Sequence, residues 1–152
     1  MLMNKIVTPE DLRVRAKELT PPFDLLKIAT AAGVKVYAAD FDSDDGENVS
    51  GSVVIENGIP VIYVNRTHPK VRQRFTIAHE LGHIVRGHLA DGDDELIENE
   101  MRFRSEAWNS EEREANAFAA ELLMPERWVR DATNAGIIEP KDLATMFGVS
   151  EQ

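Results

Sequence analysis

The sequence predicts an α+β fold, in which a small antiparallel or mixed sheet with one hairpin packs against a long helix and further helices. The hairpin is indicated by two β-branched runs, 51–56 and 59–65, which Asn57-Gly58 separates with a tight-turn signal. The helices are indicated by apolar residues at helical spacing in 67–86 and again in 110–124. With 152 residues and 43% hydrophobic content, the chain is long enough for one compact domain and too short for two of ordinary size.

The segment before the hairpin is predicted to contain two helices and a strand. Thr8 offers a capping hydroxyl just before Pro9, and both residues favour the start of a helix. Leu12, Ala16 and Leu19 then form an apolar stripe. We expect, in order, a helix that Pro21-Pro22 ends, a helix over 23–32, a strand over 34–39 and an acidic loop over 42–50.

The segment after the long helix is predicted to be mostly helical. Residues 89–100 are acidic and irregular, and 101–105 indicate a short extended piece. Helices are expected over 110–124, 126–134 and 139–147. The last of these resembles the first half of a helix-turn-helix, and without a recognition helix we do not expect it to read DNA. We expect one domain with an N-terminal helix (1–22), a core (24–135) and a partial helix-turn-helix-like tail (136–152).

The composition disfavours several kinds of partner and site. A net charge of -10 disfavours a nucleic-acid surface or an anionic membrane, and the basic residues Lys70, Arg72 and Arg74 are expected to be helix surface. The absence of cysteine excludes disulfides, Cys-ligated zinc and a thiol nucleophile. Because 1–7 lack an export signal and no run of about 18 apolar residues occurs, we expect a cytoplasmic protein that does not enter a membrane.

The most informative motif is His79-Glu80-Leu81-Gly82-His83. In a helix, residues four apart lie on one face, so the imidazoles of His79 and His83 can converge on a single metal ion. Zinc lowers the pKa of a bound water to about 7, and a glutamate beside the first ligand can accept that water's proton. The motif therefore predicts two zinc ligands and a general base, Glu80. The alternative is a surface helix that carries two histidines and a solvated glutamate.

A catalytic zinc site needs a third protein ligand. His88 is one residue out of register for a motif in which a nearby histidine completes the site, and a surface or capping role is favoured for it. The helix over 110–124 offers Glu111, Glu112 and Glu114. Glu112 shares its face with small residues that would let this helix approach the metal helix at Gly82, so we choose Glu112.

Two further expectations concern the neighbours of Glu112 along the helix. Asn109 followed by Glu112 also fits a capping box, which is the structural alternative to metal binding. Asn116 lies one turn after Glu112 and could hydrogen-bond a liganding imidazole.

Two long motifs resemble the ImmA/IrrE family of zinc metallopeptidases. They are Arg74-Phe-Thr-Ile-Ala-His-Glu-Leu-Gly-His83 and Glu112-Arg-Glu-Ala-Asn-Ala-Phe-Ala-Ala-Glu-Leu-Leu-Met-Pro125. The hairpin ending in 61–65 and the late segment 143–150 also match the family's layout, so the resemblance covers roughly 24–150. It implies a gluzincin-like, zincin-type α+β fold, with zinc held by His79, His83 and Glu112 and with Glu80 as general base.

The resemblance also implies a biological role. Members of the family cleave or inactivate a helix-turn-helix repressor encoded nearby, in phages, mobile elements and stress regulons. Two alternatives stay open: a regulatory binding module that uses zinc structurally and sequesters its partner, and a component of a toxin-antitoxin pair. Glu80 weighs against the binding module, because a structural zinc site has no use for a base.

The mode of substrate binding is a hypothesis. Pro60 cannot donate a ladder hydrogen bond and therefore predicts that the strand over 59–65 has a free edge, to which an extended protein substrate could add as a further strand. Tyr63 and His88 are candidates for stabilising the oxyanion, although aromatic packing and surface exposure are the favoured interpretations of these two residues.

Overall fold

The computed structural model describes residues 7–41, 49–88, 95–99 and 110–151. Six helices lie in these ranges: α1 (Pro9–Arg15), α2 (Leu25–Ala31), α3 (Lys70–Val85), α4 (Ser110–Leu123), α5 (Glu126–Asn134) and α6 (Pro140–Phe147). The four strands are β1 (Lys35–Ala39), β2 (Val49–Glu56), β3 (Ile59–Asn65) and β4 (Glu95–Asn99), the last of which is described by its backbone alone. The chain is α+β, which confirms the predicted fold class, and the arrangement is consistent with a zincin-like fold.

The sheet is mixed, with the strand order β1-β3-β2-β4. β1 runs parallel to β3, and β2 runs antiparallel to both β3 and β4. The predicted hairpin joins β2 to β3, and its turn residues Asn57 and Gly58 have φ values of 53° and 77°. Positive φ at both central positions is the geometry that an Asn-Gly hairpin turn requires, so this prediction is confirmed.

The prediction of a free edge on β3 is wrong, because β1 and β2 flank this strand on its two sides. The ladder with β1 begins at the pair Lys35 and Val61, one residue after Pro60. Pro60 therefore lies beyond the parallel ladder, where its missing N–H interrupts no bond to β1. A substrate cannot add to β3 as a new strand, because both of its edges are already paired.

Three other boundaries differ from the expectations. The first helix has the predicted Thr8 cap but ends at Arg15, and Leu19 lies beyond it with 63% of its surface exposed. The strand β2 begins at Val49, so the predicted acidic loop is shorter than expected, and 42–48 lie outside the described residues. The strand β4 occupies part of the segment expected to be irregular, where pairing with β2 overrides a weak local pattern.

The remaining helices agree with the sequence to within a few residues. The expected ranges 23–32, 67–86, 110–124, 126–134 and 139–147 correspond to α2 to α6. The extended piece expected over 101–105 lies outside the described residues. None of the helices in the described ranges has the length and apolar character needed to cross a bilayer.

The helix α3 packs on one face of the sheet, and this face carries the core. Val53, Ile62 and Val64 are buried there together with Leu81 of α3. Gly51 of β2 makes the approach possible, because a Cβ built at this position would lie 2.8 Å from Thr76 Cγ2 of α3. The sheet thus fixes the position of the helix that carries the histidine motif.

Candidate metal centre

His79 and His83 lie one turn apart on α3 and are both buried, with 2% and 1% of their surface exposed. Their Nε2 atoms are 3.1 Å apart, and their rings meet nearly at right angles, at 84°. Every residue from Thr76 to Ile84 is buried, because α3 lies between the sheet and α4. The alternative of a surface helix with solvated histidines is therefore wrong.

Glu112 of α4 reaches both histidines. Its Oε1 lies 3.3 Å from His79 Nε2, its Oε2 lies 2.7 Å from His83 Nε2, and the residue is 2% exposed. The other two glutamates considered from the sequence, Glu111 and Glu114, are exposed. The structure thus brings together His79, His83 and Glu112, the three ligands that the sequence predicts. Asn109, the other half of the alternative capping box, lies outside the described residues.

The close approach of α3 and α4 depends on small residues. A Cβ built on Gly82 would lie 3.1 Å from Ala115 Cα and 3.1 Å from Phe118 Cβ. This contact brings the first turn of α4 against the histidines, as the face shared by Glu112 and Ala115 predicts.

The electrostatics of the buried cluster favour an ionised glutamate. Burial is the largest influence on the pKa of Glu112 and would raise it, but the hydrogen bonds and charges that His79 and His83 supply when their rings are protonated outweigh burial. The pKa of Glu112 is consequently held well below its usual value of 4.5. A buried carboxylate anion in contact with two imidazoles is a set of hard and borderline donors that suits a divalent cation.

The donor atoms also fit zinc by their separations. Ligand atoms held about 2.0–2.1 Å from a tetrahedral zinc ion lie about 3.3 Å from one another. The three separations among His79 Nε2, His83 Nε2 and the nearer Glu112 oxygens are 3.1, 3.3 and 2.7 Å. His79, His83 and Glu112 can therefore hold such an ion with small adjustments.

Glu80 is fully buried, with 0% of its surface exposed. One donor atom from each of His79, Glu80 and His83 lies within 4.8 Å of the others. The Glu80 carboxyl group thus lies beside the donor nitrogens of both histidines, where it would be available as a base to a water molecule on a bound metal.

Asn116 does not make the predicted hydrogen bond through its side-chain oxygen. Asn116 Oδ1 is buried and accepts no hydrogen bond from the described residues. The observed neighbour of a candidate ligand ring is instead His88.

The sequence favours a surface or capping role for His88; its backbone N–H does cap the end of α3, but its side chain is nearly buried and does not lie at the surface. Its side chain is 6% exposed, and its Nδ1 lies 2.8 Å from His83 Nδ1. The cause is the end of α3, where Gly87 adopts a φ of 72° and the His88 N–H donates to the His83 carbonyl at 2.9 Å. This pattern is a Schellman motif, which folds the chain back over the last turn. The signal in the sequence is Gly87, because a glycine at this position both ends the helix and permits the turn that brings His88 back.

Tyr63, the other candidate for stabilising an oxyanion, lies away from the core face. Its ring stacks on Tyr37, and its hydroxyl donates to Glu56 Oε2 at 2.7 Å. The hydrogen bond to Glu56 raises the pKa of Tyr63. Because neighbouring residues of a strand point to opposite faces, Tyr63 faces away from the side on which Ile62 and Val64 meet the core.

Comparison with known proteins agrees with this geometry. The family model Peptidase_M78, described as the IrrE N-terminal-like domain, matches the chain from residue 29 to residue 152. No curated protein matches the chain. The match covers more than half of the sequence, including the histidine motif and the helix that carries Glu112. The chain therefore belongs to the IrrE N-terminal-like domain family, which is a family of metallopeptidases.

Proposed function

We propose that the chain is a zinc-dependent metalloendopeptidase that cleaves a regulatory protein, such as a helix-turn-helix repressor. His79, His83 and Glu112 hold the zinc ion in this proposal, and Glu80 is the general base. Membership of a metallopeptidase family supports the reaction class. The repressor is proposed from the resemblance to ImmA/IrrE proteins.

One observation carries the proposal. Two imidazole nitrogens and a carboxylate from a separate helix converge to between 2.7 and 3.3 Å in a buried site, directly beside the fully buried Glu80. Three protein ligands leave one coordination position open, which is the arrangement of catalytic rather than structural zinc sites.

The residues of the site have separate tasks in peptide hydrolysis. Zinc bound there supplies a Lewis acid and lowers the pKa of a bound water to about 7. Glu80 accepts the proton of the attacking water and passes it to the amine that leaves.

The proposal is tested by incubating the zinc-loaded protein with a repressor encoded beside its gene. We expect fragments of the repressor that disappear when a chelator is added. Glu80→Gln should retain zinc and lose cleavage by about 10²–10⁴-fold, since it keeps the shape of the side chain and removes the base. Glu126→Gln makes the same change of charge at an exposed position of α5 and should cleave at the normal rate.

Other outcomes would overturn the proposal. Full cleavage by Glu80→Gln would exclude Glu80 as the base. A repressor that is bound but stays intact, with zinc present, would favour sequestration by a binding module. A purified protein that takes up no zinc would remove the basis of the proposed site.

A further inference from the structure

A line of polar side chains runs from the surface of α4 to the candidate metal centre. Glu114 Oε2 lies 3.1 Å from His88 Nε2, and His88 Nδ1 lies 2.8 Å from His83 Nδ1. The Glu114 side chain is half exposed, whereas the side chains of His88 and His83 are 6% and 1% exposed. The line therefore passes from solvent, through a nearly buried histidine, to a buried one.

The hydrogen-bonding capacities of Glu114, His88 and His83 determine which ring nitrogens carry a hydrogen. A carboxylate can only accept, so His88 Nε2 must carry the hydrogen that it donates to Glu114. If His88 is neutral, its other nitrogen is an acceptor, and His83 Nδ1 is then the donor in the 2.8 Å contact. A neutral His83 that carries its hydrogen on Nδ1 has a lone pair on Nε2, which is the atom that faces Glu112 and His79.

We propose that His88, oriented by Glu114, is a positioning residue that holds His83 in the Nδ1–H tautomer with its Nε2 lone pair directed at the metal. This inference rests on the proposed function, because it assumes that the buried cluster binds zinc. Histidine ligands of metals commonly donate their second N–H to a carboxylate or carbonyl, which fixes the ring and raises its basicity. Here a second histidine stands between the ligand and the carboxylate.

The backbone fixes His88 in this place independently of its ring. The His88 N–H donates to the carbonyl of His83, the same residue whose ring it contacts, and Gly87 supplies the positive φ that the turn needs. The two rings lie 5.0 Å apart between centroids, at an angle of 68°. The backbone N–H of His88 and its ring both contact His83. A change in the turn at Gly87 would therefore also move the His88 ring relative to His83 Nδ1.

The first test reads the tautomer directly. Long-range nitrogen–proton NMR spectra of the zinc-loaded protein should show His83 protonated at Nδ1 and His88 protonated at Nε2. In His88→Ala, the His83 ring loses its acceptor, and its spectrum should show a changed Nδ1–H signal with faster exchange with water. A His83 ring protonated at Nε2 in the native protein, or unaltered in His88→Ala, would overturn the proposal.

The second test measures zinc affinity by competition with a chelating dye. His88→Ala should lower the affinity for zinc by about 10–100-fold, which is the usual effect of removing a group that hydrogen-bonds to a metal ligand. His88→Asn should restore much of it, because the asparagine Oδ1 lies near the position of the histidine Nδ1 and can accept the same hydrogen. A merely structural role would not be restored by this smaller polar side chain.

Glu114→Ala should lower the affinity less than His88→Ala does, since water can replace an exposed carboxylate. Glu111→Ala removes the same charge from the first turns of the same helix and should leave zinc affinity unchanged.

Equal affinities of His88→Ala and the native protein would overturn the inference while leaving the proposed function intact. Failure of the native protein to bind zinc would instead contradict the proposed function, so the two failures are distinguishable. Thermal unfolding of each variant separates loss of zinc from loss of fold.

Discussion

At the scale of single residues, Glu112 combines a charge with almost complete burial. An isolated carboxylate would be protonated in such a place, but the contacts with His79 and His83 hold its pKa low. The residue therefore carries a negative charge to which a divalent cation adds favourably. His79 and His83 are neutral donors of electron pairs when they bind a metal, so Glu112 is the only one of the three proposed ligands that supplies a negative charge.

Loss of that charge should weaken metal binding. Glu112→Gln keeps the shape of the side chain but offers only a neutral amide oxygen, and Glu112→Ala removes the ligand. We expect zinc affinity to fall by more than about 100-fold in both variants. This loss exceeds the usual effect of removing a residue that hydrogen-bonds to a metal ligand. His79→Ala should have a similar effect. Competition with a chelator measures the affinity, Glu111→Gln serves as the control, and an unchanged affinity of Glu112→Gln would exclude this residue as a ligand.

A second residue-scale prediction concerns pH and the cap of α1. Thr8 donates its N–H to Asp11 at 3.0 Å, and this bond is the main reason that the pKa of Asp11 lies below its usual value of 3.8. Because the pKa of Asp11 is lower in the folded protein than in the unfolded chain, the Asp11 cap stabilises the fold fully above the unfolded pKa. This stabilisation is lost as the pH falls through the folded pKa. NMR titration should therefore give a midpoint below 3.8 for Asp11. The stability difference between the native protein and Asp11→Asn should shrink over the same range, and a midpoint at or above the usual value would contradict the cap.

At the scale of elements, the site depends on how closely α3 and α4 pack. His79 and His83 lie on one helix and Glu112 on the other, so the distance between the helix axes sets the distances among the donor atoms. Gly82 and Ala115 form the point of closest approach. By the rise of about 1.5 Å per residue, Gly82 lies about 4.5 Å along the helix from His79 and about 1.5 Å from His83. A small change at Gly82 should therefore alter the distances among the donor atoms.

Gly82→Ala tests this dependence. The added Cβ would meet Ala115 and Phe118 at 3.1 Å, so α4 must move away from α3 by a few tenths of an ångström. We expect a loss of about 1–3 kcal/mol in the free energy of unfolding and weaker zinc binding. Helix propensity alone would give the opposite sign, because alanine is favoured over glycine in a helix by about 0.5–1 kcal/mol. Urea unfolding measures the effect, and a more stable variant with unchanged zinc affinity would refute the close approach.

The end of α3 provides a second test at this scale. Gly87 adopts a φ of 72°, and a Cβ there would meet no atom within 4 Å, so only backbone strain opposes a side chain. Gly87→Ala should cost roughly 1–2 kcal/mol, whereas Gly87→Asn should cost less because asparagine tolerates this conformation. Unfolding experiments on the two variants give the difference. Equal stabilities would mean that the turn can be rebuilt without positive φ.

At the scale of the whole molecule, one half-buried arginine joins three distant parts of the chain. Arg74 of α3 donates to Phe23 O at 2.7 Å before α2, and to Gly148 O at 2.9 Å and Phe147 O at 3.3 Å at the end of α6. It was expected from the sequence to be helix surface, and that expectation is wrong. A Cβ built on Gly148 would lie 2.8 Å from Arg74 Nε, so this contact also requires a glycine.

Removal of this arginine should loosen both ends of the chain from α3. Arg74→Met keeps the apolar stem and leaves three carbonyl groups without their donor, which should cost roughly 2–3 kcal/mol of unfolding free energy. Hydrogen exchange should increase in α6. Arg130→Met is the control, since Arg130 forms an exposed pair with Glu126 and such pairs contribute about 0–1 kcal/mol. A loss no greater than that of the control would contradict the proposed tie.

The local elements could be predicted because their causes are local. Asn57-Gly58 selects a hairpin turn, Pro125 ends α4, and the spacing of His79 and His83 places two rings on one helical face. Glu112 could be selected from the sequence because its face of α4 bears the small residues that permit close packing.

The sequence by itself therefore determined the kind and order of most elements, the pair of histidines and the choice of Glu112 as their third partner. The tertiary structure decided what depends on residues far apart in the chain: that β3 is an inner strand and that Arg74 is half-buried against both ends of the chain. The turn of His88 back onto His83 is local, and Gly87 is its signal in the sequence. Strand order and burial depend on which apolar surfaces pack against each other and are removed from water. The sequence of one segment does not specify which distant segments will pack against it.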